Sequence, residues 1–159
     1  MKKLILYASK HGTTEKASAL LAEKLTGEVE RVNVQKKFPD LRGYDYIIIG
    51  GSIHAGQIQK EIKKLCEDNL NILLDKKIGL FLCCGLEDRV DDQMKTGFGS
   101  KLYEHARVRG YFGYEFNFDK MNFLERLVVK VLAKVKESKS SIYEENIEDF
   151  ANKINESLT

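Results

Sequence analysis

The sequence predicts an α/β domain built on a doubly wound parallel sheet, five strands in the order 2-1-3-4-5 with helices on both faces. Three observations lead there. Residues 4–8, 46–49 and 78–84 are short, continuous apolar runs, the pattern of strands buried on both faces. Helical periodicities separate them, and such alternation calls for crossovers between parallel neighbours. Glycines, hydroxyls and isolated polar residues gather in segments 8–14, 50–57 and 84–96, directly after those runs. A sheet of this kind binds its ligand beyond the carboxyl ends of its strands, where the winding reverses.

The elements follow in order. After the first strand, residues 14–25 read as a helix with Ala17, Leu20, Leu21 and Leu25 on one face and Gly27 just past its end. Residues 29–34 make a weaker strand, charged enough for a sheet edge, and residues 36–43 with Pro39 make a connection. The run 46–49 is a buried strand that Gly50 and Gly51 are expected to stop. Ile58, Ile62, Leu65 and Cys66 then share a helical face. Beyond the strand 78–84, a polar loop over 85–96 leads to a short helical pattern of Phe98, Leu102 and Ala106.

Residues 110–118 alternate, with Phe112, Tyr114, Phe116 and Phe118 on one side, as in a half-covered strand nearer an edge. Two amphipathic helices close the chain. Leu124, Leu127, Val128, Val131, Leu132 and Val135 form the stripe of the first, and Tyr143, Ile147, Phe150, Ala151 and Ile154 that of the second. Opposite the first stripe, Arg126, Lys130 and Lys134 recur every four residues. The simpler reading is a surface helix covering the sheet. The alternative is peripheral contact with a membrane through residues 121–136.

The 159 residues suit one domain spanning the whole chain, and 43% hydrophobic with 31% charged residues and one proline argues against disorder. A formal charge of +2 and a pI near 8.3 are too mild for a nucleic-acid partner. The opening apolar run is too short for a secretory core, and no run approaches the ~20 apolar residues that span a bilayer. Cys66, Cys83 and Cys84 form no C-x-x-C pair, so neither a disulfide framework nor a metal site is expected, and the reduced cytoplasm is.

The first loop carries the clearest chemistry. Ser9, Lys10, His11, Gly12, Thr13 and Thr14 join a buried strand to a helix. Such a turn offers backbone N–H groups and the positive end of the helix to a phosphate. Gly12 lets the backbone approach, the hydroxyls complete the shell, and Lys10 adds charge. Thr13 capping the helix is the plain structural alternative. The loop is neither G-x-x-x-x-G-K-[ST] nor G-x-G-x-x-G, which leaves a small monophosphate rather than a triphosphate or dinucleotide.

Residues 4–15 resemble the opening of flavodoxin-like proteins, whose [ST]-x-[ST]-G-x-T loop binds the phosphate of FMN. Ser9, Gly12 and Thr14 match; His11 replaces a usual hydroxyl. The resemblance implies FMN as cofactor and a redox partner or substrate. A flavin ring then needs an apolar wall and polar backbone groups along its edges. Ser52, Ile53, His54, Ala55 and Gly56 stand in place to supply them, with the Ala55–Gly56 peptide toward N5 and His54 as a proton partner in the neutral range. Backbone groups of Cys84, Gly85 and Leu86 are placed for the pyrimidine edge, and the two cysteines themselves read as packing residues.

Residues 49–57 are similar to the I-G-A-S-I-[RH]-x-G segment of menaquinone-dependent protoporphyrinogen dehydrogenases and their flavodoxin-domain relatives. That likeness implies an FMN oxidoreductase passing electrons between a reduced organic substrate, such as a porphyrinogen, and an acceptor such as a quinone. An electron carrier without substrate chemistry is the alternative. Carriers of the familiar kind are acidic, unlike this chain. The loop after the fourth strand is short and holds Glu87, Asp88, Asp91 and Asp92, a departure from the long basic loop of that family.

Overall fold

The computed structural model describes residues 1–116, 122–132 and 139–157. Its frame is the predicted one. The parallel strands β1 (Lys2–Tyr7), β2 (Glu28–Asn33), β3 (Tyr46–His54), β5 (Lys77–Cys83) and β6 (Val108–Tyr111) lie in the order β2-β1-β3-β5-β6. A two-residue strand β4 (Gln57–Ile58) pairs antiparallel with the end of β3.

The alternation of side chains along each strand divides the core in two. Leu4, Leu6, Ile47, Ile49, Leu80 and Leu82 face one layer, where α2 (Lys60–Asp68), α3 (Leu70–Leu74), α4 (Val90–Phe98) and α5 (Ser100–His105) pack. Ile5, Tyr46, Ile48, Phe81 and Cys83 face the other, covered by α1 (Thr13–Lys24) and α7 (Glu144–Glu156). The cysteines prove to be core: Cys83 and Cys84 fall on opposite faces, and burial pushes the Cys66 and Cys83 thiols up to about 12.

Four local expectations are corrected. Gly50 and Gly51 do not stop the strand, which runs on to His54. They are notches: a Cβ on Gly50 would lie 1.9 Å from Cζ of Phe81, and one on Gly51 2.7 Å from Cδ1 of Ile58. The polar loop 85–96 contains a 3-10 turn (Glu87–Arg89) and most of α4. The alternating segment 110–118 is two elements. β6 ends at Tyr111, and β7 (Gly113–Phe116) turns away to pair antiparallel with β8 (Lys139–Ile142). Gly113 makes the break, with φ +87° and the Ser141 carbonyl where a Cβ would stand. Phe118 lies outside the described residues.

The fourth correction concerns α6 (Phe123–Leu132). Its described apolar side chains do not cover the sheet: Phe123 is 81% exposed, Leu124 67% and Val131 67%, and Leu127 and Val128 are also open to solvent. Met121 and residues 133–136 of the expected helix lie outside the described residues. Among the described residues no helix is long and apolar enough to cross a membrane.

Candidate functional site

Strands β1, β3 and β5 are neighbours, so the loops that follow them open at one end of the sheet. The first loop meets the second through His11 and His54, whose ring centroids are 5.4 Å apart in an edge-to-face arrangement. The second lies beside the third, because Ser52 pairs in register with Cys83. All three expected segments are therefore brought together.

In the first loop, Gly12 adopts φ 92°, the left-handed region, and takes the N-cap position of α1. Among the described residues no side chain, Thr13 included, makes a capping hydrogen bond to the helix. The first intrahelical bond runs from Lys16 N–H to Gly12 O, so the amides of Thr13, Thr14 and Glu15 precede the ladder. The Ser9 hydroxyl accepts from Gly12 N–H at 3.1 Å and holds the turn closed. Thr14 is fully buried and its Oγ1 has no hydrogen-bond partner among the described residues. The Cys83 thiol stands beside it, but a thiol is a weak partner. A buried hydroxyl without a strong partner, beneath a turn lined with free-ended amides, suits an anionic oxygen from outside the protein.

The loop's cation-capable side chains point to a residue the sequence reading missed. Lys10 Nζ lies 2.8 Å from Glu125 Oε1 and His11 Nε2 2.6 Å from Glu125 Oε2. Glu125 belongs to the first turn of α6, where Asn122 Oδ1 accepts from Glu125 N–H and Asn122 Nδ2 donates to Oε1, each at 2.8 Å. Asn122 thus caps the helix through its side chain, and the return bond from Glu125 reaches the Asn122 side-chain amide rather than its backbone N–H. Burial raises the Glu125 carboxyl, but the Lys10 and His11 hydrogen bonds outweigh it and hold it below the ordinary carboxylate value.

In the second loop, β3 and β4 form a hairpin closed by Ala55 (φ 50°) and Gly56 (φ 77°). Two successive positive φ values are those of a type I′ turn. Both residues are exposed, and Ile53 is half-buried against the core. Gln59, also missed, fixes the polar geometry here. Its Oε1 accepts from Ser52 N–H at 2.9 Å, which leaves its Nε2 to donate to Ser52 Oγ at 2.6 Å. His54 Nε2 lies 3.0 Å from the same hydroxyl, which joins Gln59, Ser52 and His54 in one chain. Burial, with the nearby charges of His11 and Lys10, lowers His54 to about 4. The expectation of a proton partner titrating near neutrality is thus corrected: His54 is neutral there.

In the third loop, Cys84 N–H donates to Gly113 O, while Gly85 and Leu86 are exposed. No aromatic residue occurs in the sequence between Cys84 and Phe98. The structure supplies one from β6: Tyr111 donates its hydroxyl to Cys84 O at 2.7 Å and meets Tyr143 edge-to-face. Period-two alternation marked Phe112 rather than Tyr111, so only the parallel pairing of β5 and β6 exposes the contact. Among the described residues no cluster of potential metal ligands occurs.

Comparison with known proteins agrees with this arrangement. A family model described as a flavodoxin domain matches residues 4–142. No curated protein matches the sequence. Among solved structures, the oxidised flavodoxin 1 of Bacillus cereus is similar over 100% of both chains, with 19% identity and a TM-score of 0.63. The FMN-bound flavodoxin of Fusobacterium nucleatum is similar over 99% of both, with 15% identity and a TM-score of 0.58. Rubredoxin:oxygen oxidoreductase of Desulfovibrio gigas is similar over 99% of this chain and 36% of its own, with 14% identity and a TM-score of 0.64.

Proposed function

The chain belongs to the flavodoxin-domain family, and from that premise we propose that it holds FMN non-covalently at the carboxyl end of its sheet and moves electrons through it. The observation that carries this reading is the first loop, with its left-handed Gly12, the amides ahead of the α1 ladder and the unpartnered Thr14 hydroxyl. Ser9, Lys10, His11, Gly12, Thr13 and Thr14 would surround the phosphate. Ser52, Ile53, His54, Ala55 and Gly56 would flank the ring from one side, and Gly85 and Leu86 would meet its polar edge, since Cys84 N–H is taken by Gly113 O and Cys84 O by the Tyr111 hydroxyl.

When bound, the flavin supplies the electron-transfer chemistry. The chain's residues orient it, and neutral His54 offers a hydrogen-bonding ring rather than a proton at physiological pH. The visible spectrum of the purified protein, with and without added FMN, tests the reading; colourless protein that takes up no FMN overturns it. Thr14→Val should weaken FMN about tenfold and leave riboflavin binding unchanged, since about 1.4 kcal/mol is a common cost of one unmade hydrogen bond to a charged group.

Within that reading the protein is an oxidoreductase passing electrons from a reduced organic substrate, such as a porphyrinogen, to an acceptor such as a quinone. The likeness of residues 49–57 supports this, as does the solvent-facing stripe of α6 beside the first loop. That stripe would rest on the inner face of a membrane, where a quinone is reached, with the domain otherwise in the cytoplasm. Turnover with FMN fully loaded tests it, and no porphyrinogen oxidation with a quinone present removes it. A carrier without substrate chemistry is the second reading, favoured by solved relatives that are themselves flavodoxins. Two widely separated one-electron steps in a redox titration would select it.

A further inference from the structure

Lys10 and His11 are the cation-capable side chains of the first loop, and both are held by one carboxylate. That carboxylate arrives from a residue 114 positions along the chain, on a helix whose apolar side faces solvent. Among the described residues, Phe123 and Leu124 of the first turn are open to solvent, and the pairs to the loop are what tie that turn to the domain. We infer that Glu125 is an internal competitor for the anion-binding side chains of the first loop, so that a phosphate monoester entering the loop displaces the carboxylate and undocks the start of α6. The inference rests on the reading that this loop receives the phosphate of FMN.

The charge arrangement points the same way. A phosphate monoester near neutral pH carries close to two negative charges. Placed beside Lys10 it would also face Glu125, whose carboxyl is held ionised by its pairs. Like charges within a few ångströms repel strongly in a partly buried setting. Each Lys10 or His11 donor held by Glu125, at 2.8 and 2.6 Å, is one withheld from a phosphate seated over Gly12 and Thr14. The amides of α1 and the Thr14 hydroxyl, which Glu125 does not engage among the described bonds, remain for the newcomer. Riboflavin, which has no phosphate, would leave the clasp intact. Loading of the site and docking of α6 are thus one equilibrium, and the carboxylate sets a threshold that favours phosphorylated over unphosphorylated flavin only once it is displaced.

The test uses the full chain. FMN and riboflavin affinities are measured for wild type and Glu125→Gln, and amide hydrogen exchange over residues 123–132 is followed with each flavin. The expected result is about tenfold tighter FMN binding by E125Q with riboflavin unchanged, and faster exchange of the wild-type helix with FMN but not with riboflavin. Unchanged or weaker FMN binding by E125Q, an equal change for riboflavin, or slower exchange with FMN would overturn the inference while FMN uptake by wild type left the cofactor reading standing. If neither protein takes up FMN, both fall. Uptake by E125Q alone would support the competitor directly. The exchange measurement on wild type decides the matter even if the variant folds poorly.

Discussion

The two C-terminal helices are both amphipathic and lie close in sequence, yet one is core and the other is not. In α7, Ile147, Phe150, Ala151 and Ile154 are buried against the sheet. In α6, the corresponding stripe is open to solvent. The difference lies in what each helix finds opposite it. α7 meets a surface cut to receive it: a Cβ on Gly79 would come 3.0 Å from Phe150 Cζ, and one on Gly110 2.7 Å from Phe150 Cδ2. The Phe150 ring drops into that recess, edge-to-face with Phe112 at 5.3 Å and with Phe81 at 6.4 Å. α6 meets the first loop through a carboxylate. Amphipathicity gives a helix a face; the complementary surface decides whether that face is buried.

The largest expected effect tests that contrast directly. Phe150→Ala should lower the unfolding free energy by about 3–5 kcal/mol in a urea titration, the range for removing a buried aromatic ring. A loss no larger than that of an α6 substitution would erase the distinction between the helices.

Acid sharpens the contrast from the α6 side, because Glu125 of that helix and the nearby His54 carry shifted values in the acid range. His54 falls from 6.5 to about 4 on folding, chiefly through burial. The unfolded chain therefore takes up the proton first. Stability is complete above pH 6.5, declines as pH falls, and reaches its lower level near pH 4. The loss over that window is roughly 3 kcal/mol at 1.36 kcal/mol per pKa unit. His54→Gln should flatten the profile between pH 4 and 6.5; an unchanged slope would place its origin elsewhere. Glu125, held below its usual value, adds a further loss beneath pH 4.5.

The recess itself is the next thing to fill. Gly110→Ala sets a methyl 2.7 Å from Phe150 and 2.8 Å from Phe112. Overpacking of this kind costs about 1–3 kcal/mol. Thermal or denaturant unfolding should report it, and a neutral outcome would mean that α7 shifts freely on the sheet.

These recesses also mark where the sequence was legible and where it was not. Strands β1, β3 and β5 announce themselves as apolar runs, and the polar loops fall where the doubly wound order expects them. The role of Gly50 could not be read the same way, because one letter serves both as strand stop and as notch. What separates the two is Phe81, which lies across the strand pair and 31 positions on. The break at Gly113 was hidden for a related reason: alternation continues through it, and only the Ser141 carbonyl reveals the turn. At the site, the residues of the first loop were legible from local chemistry. Glu125 was not, although Asn122-x-x-Glu125 ahead of an apolar run is a helix-start signature. That signature gives the helix its beginning and says nothing of His11, far away in the chain.

The smallest expected effect closes the comparison from the other side. Leu124 and Leu127 are already largely in water in the folded state, so replacing both by Gln removes little buried area. The unfolding free energy should stay within about 0.5 kcal/mol of wild type, as for surface substitutions generally, while Phe150→Ala reports several times as much. Flotation with anionic vesicles at low salt supplies the second reading. Wild type should float and the Leu124→Gln, Leu127→Gln variant should not, because apolar area is what a surface-lying helix inserts. Lost stability without lost flotation would show instead that the α6 stripe is covered in solution, which would make it a core element like that of α7.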